Sequence, residues 1–428
     1  MTSVRPDRGT VDVVIVGGGP AGSMAAIDLA RRGVRPVVVD RKRFPRDKPC
    51  GGGIRYGVFR RFPELAEHLR KTVEIHEIRR VLIEAPGGDS VRADRDTPFY
   101  LTLRRLELDA ALLERARDLG ACVVEGQRIV GVTVAADAVI LPTADGSEIR
   151  ARVVIGADGV NGIVARAAGL TAGFGDDALA LDTMEETPLD ELRVIDCDTM
   201  YVAYGYRGWP GYGYVVPKTR HVDAGVGFLL SFYKRALGGA PYAHHQAFLG
   251  EAAAKGVIEG RSRPENFKAY RLPLSGPLAR TYGDRVMVAG DAGGFVNAYT
   301  GEGIYYAMVT GQLAAETAAE AIGSGDCSAF SLARYQVRWE REIGEELRDS
   351  LRIQQRLFAN PALADRIIRA AGVDARLCRL FAAIALGEEP LRPHKAELAW
   401  RFALASLRLA ARRLVRSRSA RRSARTPA

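Results

Sequence analysis

The sequence predicts an α/β fold in which a doubly wound parallel sheet is interrupted by an antiparallel sheet and followed by helices. Three observations predict it. Val11–Val16 (VDVVIV) is an apolar run suited to a buried strand, and it leads into Gly17-Gly18-Gly19-Pro20-Ala21-Gly22, a G-x-G-x-x-G turn. Glu185–Leu230 alternates in character and is rich in aromatic residues, as antiparallel sheet is. From Leu332 onward the pattern is mostly helical.

The opening stretch is a βαβ unit. Ser23–Gly33 is helix-like, and Val34–Val39 is a second buried strand with Asp40 at its tip. Gly17 permits the tight turn, Gly19 lets backbone approach a pyrophosphate, and Gly22 lets helix and strand pack closely. The pyrophosphate sits on the helix N-terminus, where unpaired N–H groups and the helix dipole favour an anion. Asp40 accepts hydrogen bonds from an adenosine ribose. In this context the turn predicts a bound dinucleotide.

The remaining elements follow in order. Met1–Thr10 is a polar leader, and Lys48-Pro49-Cys50-Gly51-Gly52-Gly53-Ile54 is a loop whose glycines imply close backbone approach. Phe59–Leu69 reads as helix. Val81–Ala85 and Ser90–Ala93 flank Pro86-Gly87-Gly88-Asp89 as a hairpin. Leu106–Leu119 is a helix stopped by Gly120. Cys122–Glu125, Ile129–Val134 and Ala138–Leu141 read as short strands, and Val153–Ile155 as a buried strand leading into Gly156-Ala157-Asp158-Gly159. Within the antiparallel region Gly208–Gly213 is expected to be a bend. Ala243–Lys255 is a helix, Arg285–Ala289 a strand ending in Gly290-Asp291, and Gly303–Glu320 a helix with small residues on one face. Leu332–Phe358, Arg366–Leu386 and most of Ala396–Val415 are helical. Three strand tips carrying Gly and Asp point to one extended ligand at the same sheet edge.

Composition narrows the function classes. The chain has 428 residues, 47% hydrophobic and 26% charged, enough for two or three domains. No signal peptide or membrane span is expected. Cys50, Cys122, Cys197, Cys327 and Cys378 form no CxxC pair, which fits a reducing cytoplasm and argues against a disulfide framework. His221, His244 and His245 lack a third partner at ligand spacing, so no metal is assigned. The net charge is +10, and Leu391–Ala428 holds eleven Lys or Arg against one acid, Glu397. The rest therefore sums to about zero, and no nucleic-acid surface is expected.

These residues resemble a known family, the FAD-dependent geranylgeranyl reductases, within the flavoproteins that share the p-hydroxybenzoate hydroxylase fold. The resemblance runs from about Val11 to Glu320. Arg105-x-x-Leu108-Asp109 resembles the family's arginine near the flavin, and Gly156–Gly159 its DG motif. Gly290–Asn297 followed by Thr300-Gly301-Glu302-Gly303-Ile304 is similar to its GD motif. The Cys50 loop is similar to the reductases' Cys-Gly-rich segment. Tyr212-Gly213-Tyr214-Val215-Val216-Pro217-Lys218 resembles their Y-x-W-x-F-P-K element, with Tyr214 and Val216 in place of Trp and Phe; Ala298 stands where many members have Pro.

The resemblance implies a Rossmann-type FAD-binding domain (1–75, 100–172, 276–325), an antiparallel-sheet substrate domain (76–99, 173–275), a helical C-terminal region (326–390) and a basic tail (391–428). It implies FAD contacts at Gly17, Gly19, Gly22, Asp40, Arg41, Cys50 and Gly51, and at Arg105, Asp158, Asp291, Gly301 and Gly303. It implies reduction of a carbon–carbon double bond in a prenylated lipid, quinone or diphosphate, by hydride from reduced flavin plus a proton. Cys50 contributes near the flavin or is a small packing residue. Tyr212, Tyr214 and Trp209 line an apolar tunnel, with Tyr212 or Tyr214 as proton donor, or are sheet packing. Lys218 pairs with a phosphate headgroup or a carboxylate, or is solvated.

The electron donor is NAD(P)H or reduced ferredoxin, the latter a protein partner. In the tail, Trp400, Leu404, Leu407, Ala411 and Leu414 form a helical stripe with Arg401, Arg408 and Arg412 to one side. It is expected to bind an anionic membrane surface peripherally on the cytoplasmic face, or else to dock on the enzyme. A monooxygenase or halogenase of the same fold, and a non-catalytic flavin-binding lipid carrier or sensor, are the alternatives.

Overall fold

The structure is a computed structural model that describes residues 9–423, with side chains described through Arg412. Most of the polar leader, and the side chain of Leu414 of the tail stripe, lie outside what is described. Val11–Val16 is the central strand of an eight-stranded sheet. It pairs in parallel with Pro36–Asp40, which pairs with Cys122–Glu125. On its other side lies Glu148–Gly156, which pairs in parallel with Val286–Val288. Val139–Pro142 and Thr133–Val134 form an antiparallel flap on Glu148–Gly156, and Tyr282–Gly283 closes the far edge. The tips Val16, Asp40, Gly156 and Val288 thus face one region.

The central strand buries both faces. Val13 and Ile15 pack under the helices Pro20–Arg31, Arg105–Asp118 and Ile304–Ser324. Val14 and Val16 pack with Leu141, Ile149 and Val164 under the flap. The first helix is seated against its neighbours through backbone. A Cβ on Gly311 would stand 2.1 Å from the carbonyl oxygen of Ala21, so this helix–helix contact depends on glycine.

The second sheet has seven strands, in the order Phe267–Pro273, Leu179–Pro188, His221–Leu229, Gly211–Pro217, Thr199–Tyr204, Arg80–Glu84, Ser90–Asp94. All pairs are antiparallel except Thr199–Tyr204 with Arg80–Glu84. One face carries Tyr201, Val215, Val226 and Phe228 and is covered by Phe248 and Leu249 of the helix Pro241–Ala254. The other carries Met184, Met200, Tyr214 and Val216 and meets Cys378, Ala382 and Leu386 from the C-terminal helices. A three-stranded sheet, Gly53–Arg55, Tyr100–Thr102 and His76–Ile78, lies in neither large sheet. Its short strands carry no pattern that the sequence alone reveals.

Several expectations are corrected. Ile129–Val134 is not one strand: Ile129 makes a single bridge to Thr143, and only Thr133–Val134 is extended. The bend expected at Gly208–Gly213 occurs at Gly205–Pro210, with positive φ at Gly205, Arg207 and Gly208, while Gly211 and Gly213 lie inside a strand. Their role is close packing, since a Cβ on Gly213 would enter the Phe248 ring. Arg366–Leu386 divides into Pro361–Ala371 and Ala375–Ala385, the second capped by Asp374, whose side chain accepts from the Leu377 amide at 2.9 Å. Phe59–Leu69 divides at Pro63 into Val58–Arg61 and Pro63–Thr72. Among the described residues no helix is long and apolar enough to cross a membrane.

Gly311→Ala should destabilise the protein by about 1–3 kcal/mol through overpacking against the Ala21 carbonyl. Gly250→Ala, on an exposed helical face with nothing near the new Cβ, should stabilise it by roughly 0.5–1 kcal/mol. Urea unfolding of the two variants measures both; equal effects would show that the small-residue contact is not tight.

Candidate active site

A polar cavity of about 350 Å³ lies beyond the four strand tips. Its floor is the glycine turn. Gly17 has φ +106°, and a Cβ there would stand 2.3 Å from the Ala157 carbonyl oxygen. A Cβ on Gly22 would stand 1.8 Å from the Gly17 carbonyl oxygen, so Gly22 packs the helix and does not line the cavity. Gly19 is open, with only Arg46 near its missing side chain. The helix beginning at Pro20 has no side-chain cap, which leaves first-turn N–H groups for a ligand.

Charged groups of both signs line this cavity. The Gly18 amide donates to Asp40 Oδ2 at 2.7 Å and the Lys42 amide to Oδ1 at 2.8 Å, so Asp40 also fixes the turn; each oxygen keeps a lone pair. Arg41 lines the cavity beside it. Asp158 Oδ2 accepts from the amides of Ile163 and Val164 at 2.6 and 3.0 Å, while Oδ1 is buried without a partner. Burial raises this carboxyl above its ordinary range. Asp291 stands 3.9 Å from Lys48 Nζ. Arg105 is buried in a bidentate pair with Asp109, at 2.7 Å for both bonds, and Arg46 reaches the same carboxylate at 3.0 Å. Gly301 and Gly303 line the far wall.

A second cavity of about 160 Å³ adjoins the first, and its lining is mostly apolar and aromatic. Lys48, Pro49, Cys50, Tyr270, Leu272, Gly301, Gly303 and Ile304 line both, so the two meet at the Cys50 loop. The apolar cavity is walled by Met200, Val202, Tyr204, Tyr212, Tyr214 and Val216 from the seven-stranded sheet and closed by Ala385 and Leu386. Alternation along Gly211–Pro217 puts Tyr212, Tyr214 and Val216 on this face. Gly51 lines only this cavity, with Tyr214 Cε2 3.6 Å from where its Cβ would be. The Tyr212 hydroxyl donates to the Thr300 carbonyl. Beneath the loop, buried Arg55 bonds Glu302, Glu346, Tyr306 and the Gly387 carbonyl, tying it to the C-terminal helices.

Two expected substrate residues lie elsewhere. Trp209 is on the opposite face of the sheet, edge-on to Tyr206 and Phe228, and lines neither cavity, because it belongs to the bend and not to the strand's alternation. Lys218 is buried, with Nζ 2.7 Å from Glu186 and 3.2 Å from Asp223, and lines neither cavity. The tail helix docks through residues outside the stripe. Leu398, Phe402 and Ala405 dock on the helices below, and Arg401 pairs with Glu397 and Asp374; Trp400 and Leu407 face outward, 62% and 67% exposed.

One buried acid went unnoticed in the sequence. Asp182, 8% exposed, lines the apolar cavity, and the Tyr214 hydroxyl lies 3.1 and 3.3 Å from its oxygens. Burial raises its carboxyl to about 6. Its signal is an acid at an inward position of the alternating segment Leu179–Pro188, on the same face as Met184.

A family model described as the FAD binding domain matches residues 10–336. Digeranylgeranylglycerophospholipid reductase 2 of Methanothermobacter thermautotrophicus is 32% identical over 355 residues, covering 80% of this chain and 87% of the relative. Menaquinone reductase of Mycobacterium tuberculosis is 32% identical over 331 residues, covering 72% of this chain and 76% of the relative. The structure of a geranylgeranyl bacteriochlorophyll reductase-like protein from Thermoplasma acidophilum matches with a TM-score of 0.76 at 20% identity, covering 90% of this chain and 99% of that one, a likeness of fold.

The folded protein holds the Asp182 proton between the ordinary carboxyl value of 3.8 and about 6, so raising the pH through this window removes stability. Asp182→Asn does not titrate. Its unfolding free energy relative to wild type should rise by about 3 kcal/mol between pH 4 and pH 8, read from urea unfolding at each pH. A pH-independent difference would place the carboxyl in water.

Proposed function

We propose, from the premise that this chain belongs to the FAD-dependent geranylgeranyl reductase family, that it is an FAD-dependent oxidoreductase that saturates carbon–carbon double bonds in the prenyl chain of a lipid or quinone. The observation that carries the reading is the junction at Cys50, where a polar cavity floored by the glycine turn opens into an apolar, aromatic one. An isoprenoid chain fits the second cavity by its chemistry, and its double bond is presented at the first.

The residues present fit FAD. Gly19 is open to a pyrophosphate, the first helix is uncapped, Asp40 keeps lone pairs for a ribose, and the orphaned Asp158 Oδ1 awaits a hydroxyl. Arg105, held flat by Asp109, and Asp291 lie deeper along the same cavity. FAD when bound supplies hydride chemistry. The chain supplies orientation and exclusion of water. The tyrosine wall and the helix end at Ala385–Leu386 shield the double bond, and Cys50 sets the approach at the junction. Tyr214 is the better proton donor of the two tyrosines, because its hydroxyl is bonded to a carboxyl that can carry a proton, whereas the Tyr212 hydroxyl is bonded to the Thr300 carbonyl.

Electrons come from NAD(P)H or from a reduced ferredoxin-type partner. The enzyme works in the cytoplasm at the inner membrane face, where its substrate lies. The outward Trp400–Leu407 stripe and the tail's positive charge support peripheral binding to anionic lipid.

Reduced holoprotein mixed anaerobically with a geranylgeranylated phospholipid or prenyl quinone should reoxidise and yield product heavier by two hydrogens per bond, read by mass spectrometry. Product that gains oxygen or halogen, and only with O₂, would overturn the reading, and so would a flavin that never turns over. Cys50→Ala should keep flavin but lose at least about tenfold in reoxidation rate. Trp400→Ala/Leu407→Ala should bind phosphatidylglycerol vesicles at least about tenfold more weakly in sedimentation, at about 1.5–3 kcal/mol per large apolar side chain withdrawn. Unchanged binding would exclude this stripe as the membrane contact.

A further inference from the structure

Asp182 and Tyr214 form a pair that the fold makes room for. Leu179–Pro188 and Gly211–Pro217 both flank His221–Leu229 in the seven-stranded sheet. The intervening strand carries Gly225 and Gly227 where they face this pair. A Cβ on Gly225 would stand 2.8 Å from the Tyr214 hydroxyl oxygen, and one on Gly227 would stand 3.2 Å from Asp182 Oδ1. Two missing side chains therefore let an acid and a phenol meet across a strand.

The pair lies at the cavity that would hold the double bond. Asp182 and Tyr214 both line the apolar cavity. Among the described residues no Lys or Arg is within 4.0 Å of Asp182, and its side-chain hydrogen-bond partner is the Tyr214 hydroxyl. Lys48, the cation at the mouth, lies over the Tyr270 ring at 4.5 Å. An unpaired carboxyl in apolar surroundings is costly as an anion and tends to hold its proton.

We infer that Asp182 stores the proton of the reduction and supplies it through Tyr214. This rests on the reading of the protein as a prenyl reductase. When Asp182 is ionised, the Tyr214 O–H points at it. When Asp182 is protonated, its O–H donates to the phenol oxygen and frees the Tyr214 O–H for the cavity. One alkene carbon receives hydride, the two electrons coming from the reduced cofactor. The Tyr214 O–H bond breaks as the C–H bond forms at the other carbon. The Asp182 O–H bond breaks as that of Tyr214 re-forms, and the carboxylate regains a proton from water. Asp182 is a positioning residue, since it acts on the alkene through Tyr214.

The groups that face this carboxyl come from several elements. They are Tyr214 and Tyr212 from one strand, Tyr270 and Asp223 from two others, Lys48 and Cys50 from the loop, and His245 from the helix across the sheet. Burial is the largest influence on Asp182 and raises it; Tyr214, His245 and Lys48 lower it. The acid form is lost as pH rises through about 6.

Two measurements test the inference. In flavin-free protein, the infrared carbonyl band of a protonated carboxyl should titrate near pH 6, vanish in Asp182→Asn, and titrate at higher pH in Tyr214→Phe, which removes the bond favouring the anion. In holoprotein, single-turnover reoxidation by a prenyl substrate should fall as pH rises above about 6 in wild type. In both variants the rate should be at least about tenfold lower and should lack that limb. A band that persists in Asp182→Asn, or a wild-type pH limb retained in either variant, overturns the inference alone. Wild type that never reduces a prenyl chain overturns the functional reading itself. Tyr214→Phe keeps the test open if Asp182→Asn fails to fold.

Discussion

The contact on which the rest depends is between two stretches of backbone. Gly22 sits so close to Gly17 that a single methyl would overlap the carbonyl oxygen. This contact brings the first helix onto the tip of the central strand and aims its free N–H groups at the polar cavity. Gly290 and Gly311 continue the arrangement, each within van der Waals reach of Ala21. A ligand-binding edge, a helix pair and the first turn of the chain are thereby fixed by the same few atoms. Larger side chains would have to move the sheet and the helix apart together.

From that fixed edge the second sheet extends the site in one direction. Its two faces have separate roles because alternate residues point opposite ways. One face is buried under a helix and is packing. The other presents tyrosines, methionine and valine to a cavity and hides a strip of charge, with Lys218, Glu186 and Asp223 bonded to one another below the Cys50 loop. Lys218 Nζ bridges the two carboxylates, and Asp223 Oδ1 is left buried without a partner.

The cofactor half of the site was legible because its chemistry is local. A strand, a glycine turn and an acid at the next strand tip lie within thirty residues of each other, and each glycine has a steric reason readable from its spacing. The substrate half is assembled across strands far apart in sequence, and there local reading went astray. Gly213 looked like a turn residue and is an accommodation for Phe248. Trp209 looked like a tunnel residue and packs on the opposite face. Asp182 carries no local signal, since its meaning depends on Tyr214 two strands along and on two glycines of the strand between them. In the last helix Leu398, Phe402 and Ala405, which lie outside the stripe, are the residues that dock, because partner helices decide which apolar face is inner.

The cavity floor at Ala385 and Leu386 has a consequence for how such enzymes diversify. These residues come from a helical segment beyond the stretch that matches the FAD-binding family, residues 10–336. The polar cavity and one wall of the apolar cavity therefore come from different parts of the polypeptide. Lengthening or tilting one C-terminal helix would change the depth of the apolar cavity without touching the lining of the polar one. That depth would act as a ruler that can be reset while the other cavity stays the same.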